Sequence, residues 1–279
     1  MPVATLSALG LQSGDAAEAS DHFPITADLN VPLVEINVTL RAMLEGPFDQ
    51  QSGLMQDSLR AKGLIPLTEP YAALGFTQTN GVGGETTTAT VLNVSGNDAI
   101  VDWVRVELRT SGAPSAAYAA RSCLIQRDGD VVDVDGVSPV HFSLPANSYH
   151  VVLRHRTHLG VMTATLPLGS APSTIDLTLP STATYGTEAT KSFNGLQMLW
   201  TGNALRDATL KYTGATNDRD PILVRIGGTE PTATATGYLQ EDVNLDGLAK
   251  YTGTYNDRDL ILINIGGTVP TNTRLEQLP

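Results

Sequence analysis

Short stretches of the chain alternate apolar and polar residues with a period of two. In Val34-Glu35-Ile36-Asn37-Val38-Thr39-Leu40-Arg41 every second residue is apolar, which puts one face of a strand against a core. Val104-Arg105-Val106-Glu107-Leu108-Arg109 repeats the pattern, and Tyr149-His150-Val151-Val152-Leu153-Arg154 nearly does. Arg127-Asp128-Gly129-Asp130 predicts a hairpin turn, because Asp-Gly supplies the positive φ of a tight loop, and Asp135-Gly136 closes the next run. Leu54, Met55 and Leu59 predict a short helix over 55–62. Many short strands between turn signals predict a mainly β chain, a β-sandwich over 31–185. Residues 1–30, rich in Ala, Ser and Asp, have no sustained period and read as a tail.

Residues 190–279 carry a different signal. KYTGATNDRDPILVRIGGTEPT (211–232) and KYTGTYNDRDLILINIGGTVPT (250–271) match at 16 of 22 positions, at an offset of 39. This is an internal duplication, and two copies predict one small domain of two packed units. Directly before the second copy, Asp242-Val243-Asn244-Leu245-Asp246-Gly247-Leu248 places oxygen-bearing side chains at positions 1, 3 and 5 and Gly at 6. That spacing aims alternate side chains at one ion, and the glycine swings the position-7 carbonyl onto it. Ca²⁺ takes about six to eight oxygens, so Asp242, Asn244, Asp246 and the Leu248 carbonyl need further ligands. Asp257 and Asp259 are the candidates, after a loop longer than the usual one. Asn256 with Asp259 has the form of a helix N-cap, Ile261, Leu262 and Ile265 an apolar face, and Gly266-Gly267 a stop.

In the first copy the matched positions are Asn203, Leu205, Asp207 and Ala208, followed by Asn217, Asp218 and Asp220. Leu205 cannot coordinate a cation and Ala208 resists the turn, so Asn203, Asp207, Asp218 and Asp220 make the weaker second metal site. A ligand-rich loop leading into a short helix resembles the dockerin-type calcium repeat, whose two copies pack as a pseudo-symmetric pair. Taken with Leu40-Arg41-Ala42-Met43-Leu44-Glu45-Gly46-Pro47, Leu64-Ile65-Pro66-Leu67-Thr68-Glu69-Pro70-Tyr71 and His155-Arg156-Thr157-His158-Leu159-Gly160-Val161-Met162, residues 33–279 resemble a C-terminal module of secreted bacterial surface proteins. The resemblance implies a surface, adhesive or structural part and not an enzyme.

Composition narrows the rest. The 279 residues carry a net charge of −12, with 33 Thr and only four Lys. An anionic chain repels phosphate backbones, so nucleic acid is excluded as a partner. No run of about 18 apolar residues is long enough to span a membrane. The start has no basic segment or long apolar core, so it does not read as a signal peptide; the composition favours an extracellular or cell-surface setting. Cys123 sits in an apolar stretch and reads as a buried thiol. His155 and His158 face opposite sides of a strand unless a turn intervenes, and read as a hydrogen-bonded pair. Asp128, Asp130, Asp133 and Asp135 read as a solvated strand face, Trp103 and Trp200 as core. No nucleophile elbow is present, and Glu69 and Asp102 give no specific sign of a glycosidase. Asn37-Val38-Thr39 and Asn93-Val94-Ser95 fit the N-glycosylation pattern, and the Thr-rich runs fit O-glycosylation. The functional expectation is a non-catalytic, Ca²⁺-stabilised structural protein that assembles with itself, with residues 23–34 adding to a neighbour's sheet edge. The alternative is an adhesin or a module binding a glycan or protein.

Overall fold

The computed structural model describes residues 32–80 and 83–279. The tail at 1–30, and most of the 23–34 segment expected to exchange between copies, lie outside the described residues; Leu33 and Val34 pair with Pro145 and Leu144 of the same chain.

The alternating runs form strands. In chain order these are β1 (Leu33–Arg41), the short β2 (Phe48–Asp49) and β3 (Leu54–Met55), β4 (Ile100–Thr110), β5 (Ala119–Gln126), β6 (Asp130–Val132), β7 (Val140–Pro145), β8 (Asn147–His155), β9 (His158–Met162), β10 (Leu166–Leu168) and β11 (Ser173–Asp176). Nine of them make one sheet in the order β10-β8-β4-β5-β6-β1-β11, with β7 added to β1 and β9 to β8. Only β1 and β11 pair in parallel; the rest of the sheet is antiparallel. Both Asp-Gly turns fall where the sequence places them, with Gly129 at φ 99° between β5 and β6 and Gly136 at φ 77° between β6 and β7. Ile36 and Val38 of β1 share one apolar cluster with Trp103 and Val106 of β4 and Leu124 of β5. Leu33–Pro279 is a single compact unit.

Two features differ from the sequence pattern. Leu54 and Met55 extend β3 instead of opening a helix, because Met55 pairs with Phe48 and its N–H donates to the Arg127 carbonyl (2.8 Å). The helix, α1, is confined to Ser58–Ala61; a second short one, α2, covers Ala89–Leu92. The polar face of β4 is also not solvated: Arg105, Glu107 and Arg109 are at most 4% exposed. Arg105 and Arg109 both donate to Glu107, and their remaining donors reach the Thr77 and Pro114 carbonyls.

Beyond the sheet come β12 (Lys191–Phe193), β13 (Leu196–Met198), β14 (Thr209–Lys211), α3 (Arg219–Arg225), β15 (Thr234–Thr236), β16 (Leu248–Lys250), α4 (Asp257–Asn264) and β17 (Thr273–Leu275). The two sequence copies interlock. Strand β14 of the first pairs with β17 of the second, and β15 of the first with β16 of the second, in registers that exchange under the 39-residue offset. Thr213 Oγ1 donates to the Pro270 carbonyl (2.9 Å) and Thr252 Oγ1 to that of Pro231 (2.8 Å), an equally matched pair. Ile222 and Ile261, equivalent residues of α3 and α4, meet in a small core with Ala204 and Val243. Each copy therefore completes its β-pairing only through the other. The pair is fastened to the sheet by Glu45, which accepts from Lys191 Nζ (2.5 Å), Asn264 Nδ2 (2.6 Å) and the Thr201 N–H (3.1 Å). Beside it, Gly46 lies so close to the second copy that a Cβ there would run into the Val243 carbonyl.

Candidate functional site

The turn at 242–247 is organised by its own carboxylates. Asp242 Oδ1 accepts from the Asp246 N–H (3.1 Å) and Oδ2 from that of Gly247 (2.7 Å). Asn244 Oδ1 accepts from the Asp246 N–H (2.9 Å), and Asp246 Oδ1 from that of Leu248 (2.8 Å). Gly247 has φ 85° and Leu245 φ 59°, so the chain reverses sharply as the 1-3-5-6 pattern requires. Leu248 then opens β16 opposite Thr236.

Asp257, in the first turn of α4, reaches back over this turn. Its Oδ1 accepts from the Val243 and Asn244 N–H groups (2.8 and 3.2 Å) and its Oδ2 from that of Lys250 (2.8 Å). Asp242 and Asp257 are both fully buried. Burial raises the Asp257 pKa to about 8, with the Asp242 charge adding to the effect. Asp242 is raised to about 7 by burial, against the pull of Arg156. Neither forms an ion pair among the described residues. Asp259, also a candidate ligand, is placed elsewhere: it closes the Asn256 cap (N–H to Asn256 Oδ1 2.9 Å, Asn256 Nδ2 to Oδ2 2.8 Å) and pairs with Arg258.

The first copy has the same scaffold with different chemistry. Asp218 accepts from the Leu205 and Lys211 N–H groups (3.0 and 2.8 Å), as Asp257 does at the equivalent positions, and burial raises it to about 7. Asn203 replaces Asp242, accepting from the Asp207 N–H (3.0 Å) and donating Nδ2 to the Asp207 carbonyl (2.7 Å). Asp207 caps the Thr209 N–H (2.8 Å), and Asp220 is held by Asn217 and Arg219. The amide thus takes over the tie across the turn, and one buried carboxylate remains where the second copy has two. Among the described residues no three His, Cys, Asp or Glu side chains gather as a metal-ligand group. Any ion in the second loop would therefore lean on Asp242, Asp257 and neutral oxygens from Asn244 and Leu248. The residues fit a divalent cation in one respect: two adjacent buried carboxylates have no counter-charge in contact with them.

A buried polar network, not foreseen from sequence, joins this loop to the sheet. Asp102 Oδ2 accepts from Arg156 Nε (3.0 Å) and His155 Nε2 (3.1 Å), and Oδ1 from Tyr238 Oη (2.5 Å) and the Trp103 N–H (2.7 Å). Although burial opposes it, Arg156 and His155 bring the Asp102 pKa down to about 2. The Gly46 N–H donates to His158 Nε2 (3.1 Å), leaving that ring's proton on Nδ1, 2.9 Å from His155 Nδ1. His155 then donates through Nε2 to Asp102, and the protons run one way along the chain. Burial holds both imidazoles below the ordinary histidine pKa, His158 the further. Arg156 and Thr157 form the turn that brings the two histidines together. A signal existed in the sequence: the four polar residues His155–His158 at a strand end, and an acid, Asp102, within the apolar start of β4.

The remaining candidates are structural. Asp133 is held bidentately by Arg121 and approached by His141, while Asp135 caps its own turn. Glu69 accepts backbone N–H groups from Tyr71, Ala72 and Gly84. Cys123 and Trp103 are buried, and Trp200 is partly buried beneath the Arg274 guanidinium (3.6 Å to the ring centroid). No helix of the described residues is long and apolar enough to cross a membrane. No protein-family model matches the chain, and neither does any curated protein or solved structure with which it was compared.

Proposed function

We propose that this chain is a non-catalytic structural module of an extracellular or cell-surface protein, and that its second repeat holds one Ca²⁺ and is stabilised by it. The reading rests on one observation: Asp242 lies buried in the 1-3-5-6 turn and Asp257 buried over it, and among the described residues neither forms an ion pair. In this reading Asp242 and Asp257 supply charge, and Asn244 and the Leu248 carbonyl supply neutral oxygens. Asn256 and Asp259 fix the first turn of α4, and so keep Asp257 in reach. The ion would neutralise the two carboxylates and tie the 242–248 turn to the helix. Thermal unfolding of chelator-treated protein, with and without added Ca²⁺, tests this. A rise in melting temperature with Ca²⁺, and a smaller one with Mg²⁺, is expected; identical melts in EDTA and in Ca²⁺ would reject it.

Self-assembly is the second part of the proposal. It draws on the segment 1–30 and on the short strands β10 and β11, which end the sheet among the described residues and offer edges for another strand to extend. Electron microscopy of the full chain and of a form lacking residues 1–30 tests it: filaments only with the tail support strand exchange, and filaments without it rule that out.

A further inference from the structure

A cavity of about 630 Å³ opens where β4 and β8 meet the first repeat, and its walls carry four of the chain's 13 arginines: Arg105, Arg109, Arg154 and Arg206. The acids lining it are Glu107, Asp207 and Glu276, so this one locale holds a surplus of positive charge in a chain of net charge −12. Three of the guanidinium groups are fixed before any ligand arrives. Glu107 receives Arg105 at 3.0 Å, Arg109 at 2.8 Å and Arg154 at 3.5 Å, and Arg154 also reaches Glu276 at 3.3 Å. Two carboxylates, Glu107 and Glu276, shared by three arginines leave one guanidinium charge unmatched.

Arg206 is different. Its backbone is in the left-handed region (φ 56°), an uncommon conformation for a residue with a side chain. Its guanidinium stands 6.0 Å from the Phe76 ring centroid, on a ring that Arg105 also approaches at 5.4 Å. Among the described residues it has no carboxylate partner. The floor is lined by His155 and His158, both held neutral by burial, and one wall by Ala116 and Ala117. The volume suits a small ligand, with an apolar wall for its body and fixed donors for its charge.

We infer that this cleft is a binding site for a carboxylate or sulfate group on a ligand no larger than a sugar residue, with Arg206 and Arg154 making the charged contacts. Arginine forks match the planar carboxylate and the sulfate edge. Two sources share that chemistry, an acidic sugar and the free inorganic anion. The site goes beyond the structural role proposed above and does not depend on Ca²⁺.

Titration calorimetry of the full chain at low ionic strength, with glucuronate, sulfate and glucose as separate probes, tests it. Glucuronate or sulfate should bind at millimolar or better affinity, weakening as NaCl is added, while glucose gives no signal. Tighter binding of glucuronate assigns an acidic sugar, and equal binding of sulfate assigns a bare-anion site; either supports the cleft. Arg206→Gln should weaken binding about tenfold. Ala116→Glu, at an exposed lining position, places a carboxylate at the mouth and should abolish binding without changing the melting temperature. It decides the matter should Arg206→Gln fail to fold. No binding of either anion, or binding unaltered in Ala116→Glu, would overturn the assignment.

Discussion

Replacing Asp242 with Asn makes the second loop resemble the first at one position, and the two loops together fix the sign of the result. Asn203 already occupies the equivalent place and ties the turn through both amide atoms, so the fold accepts the change. With Ca²⁺ absent, the Asp242 pKa of about 7, against about 3.9 for an ordinary aspartate, means that the folded state binds this proton more tightly than the unfolded chain. Its contribution to stability is full below pH about 4 and is lost as the pH rises through about 7. Some three pKa units correspond to roughly 4 kcal/mol of destabilisation at pH 8. The asparagine escapes that loss but gives up the Gly247 N–H bond, at about 1–2 kcal/mol. In EDTA at pH 8 the variant should be more stable by about 2 kcal/mol, some 4–8 °C in a unit of this size, and at pH 5 the advantage should vanish. In Ca²⁺ at about 100 times its Kd the wild type gains roughly 2.7 kcal/mol, and the variant should gain none. Thermal and urea unfolding in the two media at both pH values measure all four states. Equal Ca²⁺ stabilisation of both proteins, or a variant less stable than wild type in EDTA at pH 8, would refute the reasoning.

Four further outcomes follow from the packing. His155 and His158 have lowered pKa values, so the stability they confer is present above pH about 6.5 and lost as the pH falls below it; in urea unfolding, His158→Gln should reduce that acid loss while costing about 1–3 kcal/mol at pH 8 through the Gly46 N–H. Gly46→Ala meets the Val243 carbonyl and should lose about 1–3 kcal/mol by urea midpoint, whereas Gly53→Ala, at φ 72° with no neighbour in the way, should lose about 1. Tyr238→Phe removes a donor from the buried Asp102 and should cost about 1.5–3 kcal/mol, read by the same midpoint, with the secondary structure unchanged by circular dichroism. The triple variant Asn203→Asp, Leu205→Asn, Ala208→Gly copies the second loop onto the first, where Asp207 and Asp218 already stand; calorimetry should then count two Ca²⁺ per chain in place of one.

The sequence made much of this legible because local chemistry decides it. Period-two alternation locates β1, β4 and β8, the Asp-Gly pairs locate both turns, and Asn256-x-x-Asp259 locates the start of α4. The duplication shows that two units pack, but not that β14 and β15 of one pair with strands of the other, since pairing between copies leaves no local trace. The burial of Arg105, Glu107 and Arg109 is not legible, because alternation gives polarity and not what covers it. Asp257 and Asp259 are equivalent as ligands by composition; only the helix start separates them, turning one carboxylate in over the loop and the other out to its cap. Asp102 and Tyr238 stand 136 residues apart, and no local pattern joins them.

Comparing the two copies separates what builds the loop from what would charge it. Asp218 and Asp257 do the same work, each gathering backbone N–H groups from the preceding turn and from the following strand. Asn203 and Asp242 differ in charge, yet both close their turns. The shape of each loop is therefore set by backbone hydrogen bonds to one buried carboxylate, and it holds in the copy that lacks the ligand pattern. It follows that chelation should lower the stability of the second repeat without unfolding it. The interlocked strands should then spread that loss over both copies, since β15 and β17 each pair with a strand of the opposite copy.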